Sequence, residues 1–570
     1  MNILSDNALQ IAKKRYFLTE DEGWGGLSIR CGEEVSKVES NPLQYKDKFI
    51  EMIHNMEFIP AGRILRNLRR LKGSLFNCYV LPLNDSIEDI GQFIKECLIA
   101  WSEGGGIGVN ASFLRPEGTI IKGKGGFSSG PISFLKAANT AASCIESGGQ
   151  RRAAALALML VSHPDILKFI DAKIIDKEFN SFNISVGITD KFLECVEKNA
   201  PWELKFNQQI YSTIDAGSIW DKILVNMVEH AEPGLINWTN LRSNNSYYFE
   251  QIQSVNPCAE SPLGAHGVCD LGSIVLPKFV SNVNTNWKKM EDTIRLGVRL
   301  LDNIIEINKY ILPQFEQNAH NGRRIGIGVM GLADYLFAKK IRYGSTKSIL
   351  EVEKLMRFVR DISYDESIKL ATEKGSFTKF DSGDYGKAHF IRTLPASTRM
   401  DIKKHGIRNV TLMAMAPSGT ISLLPEVTSG IEPLFAKAYK RSDKVSERYY
   451  VHPLYKQIIE GNEDIPDWFV DSKDLLPKDH LEMQSVVQKY TDGAVSKTIN
   501  MPKGTTTEDL SSLLLEYIHD LKGVTVYVDG SREGQILNNI SKDELLKYIK
   551  DTTTSADESS VKCSSGKCEL

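Results

Sequence analysis

The stretch NPCAESPLGAHGVCDLGSI, residues 256–274, decides how this chain reads. Asn256, Cys258 and Glu260 stand two residues apart, so a backbone held extended there would point an amide, a thiol and a carboxylate to one side. Pro257 fixes its own φ and pushes Asn256 toward the extended region, and Pro262 favours the same geometry. Pro257 also lacks a ladder donor, which favours a loop entering a cavity over a central strand. The thiol brings chemistry no other side chain shares: its S–H bond is weak enough to yield a thiyl radical that reversibly takes hydrogen from carbon. Taken alone, the triplet reads equally as a buried cysteine in an incidental turn. The other cysteines change that balance.

Cys269 follows eleven positions after Cys258, beyond PLGAHGV, whose prolines and glycines predict a tight reversal returning the second thiol beside the first. Cys78 lies in SLFNCYVLPL (74–83), an apolar run readable as a strand. Cys563 and Cys568 close the chain in CSSGKCEL, at the end of a polar tail that begins near Asp551 and cannot form a packed element. The residues between Asp551 and Cys563, fully extended, span at most ~40 Å, enough to carry a dithiol into a cleft and out again. Such an arm suits thiol–disulfide exchange; a disordered end with incidental cysteines is the alternative.

These residues match a known family. The chain resembles the catalytic subunit of ribonucleotide reductase from about residue 5 to its last residue. The resemblance rests on GGGIGVNASFLRPEGTIIKGKGGFSSGPISF (104–134), GGQRRAAALALMLVSHPDILKFI (148–170), the opening stretch, RRIGIGVMGLADYL (323–336), APSGTISLLPEVTSGIEPLFAKAYKR (416–441), KTINMP (497–502) and GVTVYVDGSR (523–532). It implies replacement of a ribonucleotide's 2′-hydroxyl by hydrogen, in a ten-stranded α/β barrel with Cys258 at the tip of an internal loop. By the same resemblance, Cys258 is the thiyl radical that takes the ribose 3′-hydrogen, and Cys78 and Cys269 are the pair that ends as a disulfide. Glu260 is the general base on the 3′-hydroxyl; with an ordinary pKa near ~4.3 it is expected ionised at neutral pH. Asn256 holds substrate hydroxyls and Glu260. Cys563 and Cys568 regenerate Cys78 and Cys269 and are themselves reduced by a thioredoxin or glutaredoxin.

Classes of this family differ in how the radical starts. Members fed by a separate metal-bearing subunit carry a tyrosine pair in a motif like TLYYQNTR, whereas this chain reads TVYVDGSR (525–532). Tyr527, the radical-path candidate, is kept, but Val528 stands at the second tyrosine and cannot be oxidised reversibly. The pattern VTVY-x-DGSR is similar to the adenosylcobalamin-dependent, class II reductases, whose cofactor supplies the radical directly, although most of those carry Arg where Val528 stands. Adenosylcobalamin is therefore the expected cofactor, with no metal held by the protein. A subunit served by a separate radical generator is the second reading. An inert nucleotide-binding regulator is the third, and intact Cys78, Cys258, Glu260 and Cys269 argue against it. The tail lacks the RVxGY-type segment and four-cysteine zinc site of the glycyl-radical class.

Nucleotide-binding segments follow. In MAMAPSGTIS (413–422) an apolar stretch stops at Pro417, and Ser418, Gly419, Thr420 and Ile421 open a short helix whose N–H groups could converge on an anion. An ordinary turn is the alternative; the resemblance makes it the substrate phosphate site. Gly148, Gly149, Gln150 and Arg151, ahead of an apparent helix, are similar to a loop that senses a deoxynucleotide effector, or else form a solvated turn. Asp85 is similar to an effector contact at a homodimer interface. Three glycine patterns fail as other enzymes' signatures. GTIIKGKG (118–125) has Gly125 where a P-loop needs Ser or Thr. GIGVMG (326–331) follows the polar NAHNGRR, and GIGVNA (106–111) follows the amphipathic helix pattern IGQFIKECLIAW, where a dinucleotide fingerprint needs a buried strand.

Composition sets the outer bounds. The chain has 570 residues, 42% hydrophobic, and a formal charge of -3 from 69 basic and 72 acidic residues, so no polyanion-binding surface or nucleic-acid partner is implied. Nine cysteines without a dense framework point to a reducing cytosol. The N-terminus lacks a signal-peptide core, and AAALALMLV (153–161) is too short to span a bilayer, so a cytoplasmic enzyme without a membrane partner is expected. A helical region over 1–60, an α/β body over 61–550 and a redox-active tail over 551–570 are expected. The early start also predicts no N-terminal ATP-cone and no overall shutdown by dATP. Diphosphate or triphosphate substrate, and monomer or dimer, stay open at this level.

Overall fold

Short apolar runs such as GIGVN and FNISVGI become strands buried on both faces, as a helix-covered parallel sheet requires. The computed structural model describes residues 4–121, 123, 125–147, 151–175, 179, 181–442, 447–531 and 537–539. Helices Asp6–Arg15, Gly23–Ser36 and Pro42–His54 come first. The strands used below are β1 (Phe58–Pro60), β2 (Cys78–Val80), β3 (Gly106–Asn110), β4 (Ala154–Leu160), β5 (Phe182–Ile188), β6 (Gly234–Asn237), β7 (Ser254–Val255), β8 (Pro262–Leu263), β9 (Leu271–Val275), β10 (Gly326–Met330), β11 (Thr498–Met501) and β12 (Gly523–Val528).

Seven of them form a sheet in the order β11-β12-β6-β5-β4-β3-β2. Strands β2 to β6 run parallel to one another, and β12 turns against β6 while pairing parallel with β11. Parallel neighbours need crossovers, and helices supply them. The one between β2 and β3, Ile87–Ser102, is capped by Ser86, which accepts from the Asp89 N–H at 3.0 Å, and buries Ile90, Phe93, Cys97 and Trp101. A second sheet has the order β1-β9-β10. It packs on helix Trp287–Ile307, whose Gly297 lies against the Phe58 ring: a Cβ there would come within 2.9 Å of it.

Backbone hydrogen bonds join the sheets at both ends. Val80 N–H donates to Gly267 O and Cys269 N–H to Cys78 O, each at 3.0 Å. Beyond β10, Ile327 N–H donates to Leu412 O at 2.7 Å, and Met415 N–H to Ala494 O at 3.1 Å. The buried carboxylate of Asp492 fixes this second seam by accepting from Leu412 N–H and Met413 N–H, both at 2.8 Å.

Two expectations change. The segment after Arg151 is the strand β4, not a helix. Ala154 sits opposite Gly106 and Ala155 opposite Phe182, so pairing on both edges outweighs the helical preference of Ala and Leu. The GIG patterns of β3 and β10 prove to mark close backbone approach. A Cβ on Gly108 would lie 1.8 Å from the Val255 carbonyl oxygen, and one on Gly328 would lie 2.9 Å from that of Ala414.

Replacing Gly108 by Ala is expected to lower unfolding free energy by at least ~1–3 kcal/mol through overpacking. Gly91→Ala, on helix Ile87–Ser102 where a Cβ meets nothing within 4 Å, is expected to raise it by ~0.5–1 kcal/mol. Denaturant unfolding of the two variants checks the contrast.

Candidate active site

Strands β7 and β8 form an antiparallel hairpin, Ser254 opposite Leu263 and Val255 opposite Pro262, with NPCAES at its tip. The tip is a turn and not the extended run that alternation predicted. Ala259 N–H donates to Asn256 O at 2.8 Å, and Ala259 itself takes φ +66°, a left-handed conformation unfavourable to a residue with a Cβ. Folding back brings Asn256 and Glu260 together. Asn256 Nδ2 donates to Glu260 Oε1 at 2.7 Å, and Asn256 Oδ1 accepts from Ser261 N–H at 2.9 Å. Both side chains are buried, while Cys258 at the crown is half-buried. The tip is tied to the second seam where Ala494 N–H donates to Glu260 O at 2.8 Å.

The missing side chain of Gly106 makes room for the sulfur site. A Cβ there would meet Pro257 Cγ at 2.9 Å and Cys78 Sγ at 3.1 Å, so the residue preceding Cys258 and the Cys78 thiol crowd the same space. The reversal predicted after Pro262 is present, with Gly267 N–H donating to Gly264 O at 3.1 Å. It sets Cys269 antiparallel to β2, where the thiols of Cys269 and Cys78 hydrogen-bond. Burial, then the neighbouring Cys78, push the Cys269 pKa up.

Glu260 departs from expectation. Burial, then the nearby Cys78 thiol, raise its pKa to about 8 against the opposing hydrogen bond from Asn256. It is therefore a neutral acid at pH 7. With Oε1 accepting from Asn256, the acid proton sits on Oε2, which is buried and has no hydrogen-bond partner among the described residues, so the site lacks one partner there.

The loop at 417–421 runs from Pro417 into a single turn, Ile421–Leu423, with Thr420 at its start. Ser418 is committed to the loop itself: its N–H donates to Ser429 Oγ at 3.0 Å, and its Oγ accepts from Gly430 N–H at 2.8 Å. Gly419 faces open space, with nothing within 4 Å of a would-be Cβ. It lines a cavity of about 440 Å³ together with Ser422, Glu432, His452, Thr498 and Asn500. Tyr527 is paired with Asn500 across β11 and β12 and so shares its face of the sheet. Val528 points the other way, buried with Val524 and Val526.

Not every candidate is gathered here. Asp85 lies beyond the C-terminal end of β2, away from Cys78, where its carboxylate accepts from Arg115 Nε at 2.7 Å. Arg151 belongs to a two-stranded ribbon, Glu146–Ser147 with Arg151–Arg152, just ahead of β4. Gly148, Gly149, Gln150, Cys563 and Cys568 lie outside the described residues. Sequence reasoning passed over Glu432 and the half-buried relay in which Asp334 accepts from Thr428 Oγ1 at 2.7 Å and lies 2.9 Å from His452 Nε2. The available signal was a charged residue between glycine and proline in SGIEPLF (429–435). Among the described residues, no group of three or more His, Cys, Asp or Glu could hold a metal ion, and no helix is long and apolar enough to cross a membrane.

The raised Glu260 pKa has a stability consequence. Between the ordinary value of 4.5 and about 8 the folded chain holds a proton that the unfolded chain releases, so this contribution is full at low pH and is lost as pH rises through about 8. Glu260→Gln is expected to remove that loss, its stability relative to the parent growing from pH 5 to pH 8. Unfolding curves at several pH values test it; a difference independent of pH would contradict it.

The chain matches known proteins along most of its length. The model of the family "Ribonucleotide reductase, barrel domain" matches residues 76–527. A vitamin B12-dependent ribonucleoside-diphosphate reductase of Mycobacterium tuberculosis is 32% identical, over 100% of this chain and 84% of that protein. A reductase of the same name from Thermoplasma acidophilum is 35% identical, over 86% of this chain and 66% of its own length. The ribonucleoside-diphosphate reductase subunit alpha of Chlamydia pneumoniae is 26% identical, over 74% of this chain and 46% of that protein. The chain belongs to the ribonucleotide reductase family.

Proposed function

We propose that this chain is a ribonucleotide reductase that converts ribonucleoside diphosphates to 2′-deoxyribonucleotides with adenosylcobalamin as cofactor. One observation carries the reading: the unpartnered, buried Oε2 of Glu260, held by Asn256 beside the hydrogen-bonded Cys78 and Cys269 thiols. A ribose hydroxyl, which can both accept and donate, is a partner that this oxygen lacks, and two thiols supply the electrons that 2′-reduction consumes. The diphosphate assignment follows the names of the most similar relatives.

In the proposed reaction the sulfur radical of Cys258 takes the 3′-hydrogen and Glu260 accepts the 3′-hydroxyl proton. A substrate hydroxyl donating to Oε2 favours the carboxylate and so draws down the pKa that burial has raised. The 2′-hydroxyl leaves as water with a proton from the dithiol, whose two electrons reduce the sugar as the disulfide Cys78–Cys269 forms. Cys258 then returns a hydrogen to the 3′-carbon. Pro417 to Ile421, with open Gly419, would take the phosphates. Cys563 and Cys568 would restore the dithiol, using a thioredoxin or glutaredoxin. Asp85 and the Gly148–Arg151 loop would answer a deoxynucleotide effector.

When bound, adenosylcobalamin supplies a Co–C bond whose homolysis starts the radical. The chain suits such a local source: Cys258 is half-buried at the crown of the turn, between Pro257 and Ala259, and is the residue that would meet it. A hopping path from a second subunit would need an oxidisable neighbour to Tyr527, and Val528 is a buried aliphatic on the opposite face.

We also read the two sheets as one ten-stranded barrel with the β7–β8 hairpin as its internal finger. The Cys78–Cys269 and Ile327–Leu412 backbone bonds, continued by Met415–Ala494 into β11, support closure. On this reading 1–60 is an N-terminal helical region, 61–550 the catalytic body and 551–570 the redox tail.

The purified chain given adenosylcobalamin and a small dithiol is expected to form deoxynucleotide without a second protein. Cys258→Ser should abolish turnover, by at least about 10³-fold as for loss of an essential nucleophile or radical group. Cys563→Ser should spare the small-dithiol assay and cripple one driven by thioredoxin. Absence of product without an added radical-generating subunit would favour the second reading, and normal turnover by Cys258→Ser would remove the radical assignment.

A further inference from the structure

Lys497 is fully buried, and its ammonium donates to three acceptors: Glu432 Oε2 at 2.7 Å, His480 Nδ1 at 3.0 Å and Thr498 O at 3.2 Å. Those use all three of its protons. Because Nδ1 of His480 accepts, the ring carries its hydrogen on Nε2, which is buried and has no hydrogen-bond partner among the described residues, and the imidazole is neutral. The charge of Lys497 is therefore matched by Glu432 alone within this contact set. The second oxygen of Glu432 accepts from Thr498 N–H at 2.8 Å.

A buried ion pair is a poor device for stability, since packed apolar groups of the same size commonly do as well or better. Its effect here is positional. Both oxygens of Glu432 are gripped from behind, by a buried lysine and a strand N–H, while the side chain stays 29% exposed and lines the cavity that Gly419 borders. An ionised carboxylate is an acceptor only, and each oxygen of Glu432 has one donor among the described residues, so both keep lone pairs for a donor that enters the cavity. They would repel phosphate, which leaves the Gly419 end of the cavity for the diphosphate and the Glu432 end for a part of the nucleotide that donates.

We infer that Glu432, oriented by Lys497, is a substrate-binding residue that accepts a hydrogen bond from a ribose hydroxyl or an amino group of the base. This rests on the reading of the cavity as the nucleotide site and adds to it a residue that fixes how the nucleotide lies. The relay of Thr428, Asp334 and His452 borders the same cavity, but its acceptors are already used by its own donors. Glu432 keeps acceptor capacity for a ligand while Lys497 holds it in place, whereas Glu426, the other carboxylate lining the cavity, is exposed and accepts from Ser5 Oγ at 2.7 Å.

The test is equilibrium binding of cytidine diphosphate and uridine diphosphate to the full chain, followed by steady-state kinetics with cofactor. Glu432→Gln is expected to weaken binding about ten- to a hundredfold, the worth of a charge-assisted hydrogen bond. KM should carry the change, and kcat should stay within about threefold, as expected for loss of a binding contact. Loss toward both nucleotides assigns the ribose hydroxyl; loss toward cytidine diphosphate alone assigns the base amino group. Glu432→Asp, which keeps a charge for Lys497 but withdraws it from the cavity by one methylene, is expected to show the same loss and serves if the glutamine variant does not fold. Unchanged affinity in a folded variant, or a fall in kcat at constant KM, overturns the assignment. A parent chain that binds neither nucleotide overturns it together with the reading of the cavity.

Discussion

The carbonyl oxygen of Val255 occupies the place where a side chain of residue 108 would stand. That single close approach sets the hairpin against β3, and the neighbouring approach at Gly106 seats Pro257 beside the Cys78 thiol. Everything chemical in the molecule follows from it. Cys258 is half-buried at the crown of the turn, Asn256 and Glu260 are buried behind it, and the Cys78–Cys269 pair lies at β2, the neighbour of the strand they approach. Two glycines at alternate positions of one strand create the space, and a turn with Ala259 in a left-handed conformation fills it.

Burial at this point works in two directions. It raises the pKa of Glu260 to about 8 and that of Cys269 as well, so the site carries neutral groups where an ionised base was expected. Charge appears when a donor reaches Oε2. A site that stays neutral until substrate supplies the missing hydrogen bond avoids holding an unpaired buried carboxylate, which a low-dielectric interior penalises. Glu432 differs in having its partner built in, since Lys497 lies 2.7 Å from it. One carboxylate awaits its partner and the other keeps one.

Much of this was legible in the sequence because the chemistry resides in a few side chains at fixed spacing. Cys78 in an apolar run, the reversal before Cys269, and the pairing of Asn256 with Glu260 were readable, although the geometry that unites the last two is a turn rather than an extended segment. The pattern IGQFIKECLIAW gave its helix. The segment AAALALML did not give its strand, since alanine and leucine carry helical preference and only pairing on both edges decides otherwise. Nor could periodicity tell that GIGVN and GIGVM mark places where another chain segment's carbonyl fits, because that depends on residues 147 positions away for Gly108. The ionisation of Glu260 was misjudged for a related reason: the acidity of a carboxyl group in water carries no trace of the burial that the fold imposes. Glu432 and Lys497 stand inside two of the matching stretches, but their meaning is a contact between the two that neither stretch shows alone.

Sulfur 258 performs the radical chemistry, on this account, while sulfurs 78 and 269 supply the electrons. That division of labour is tested most directly by a single turnover without external reductant, followed by trapping of thiols and peptide mapping, in a chain whose tail cysteines 563 and 568 are replaced by serine. The expected result is one Cys78–Cys269 disulfide for each deoxynucleotide formed, with Cys258 recovered as a thiol. A disulfide containing Cys258, or product formed with Cys78 and Cys269 still reduced, would contradict it.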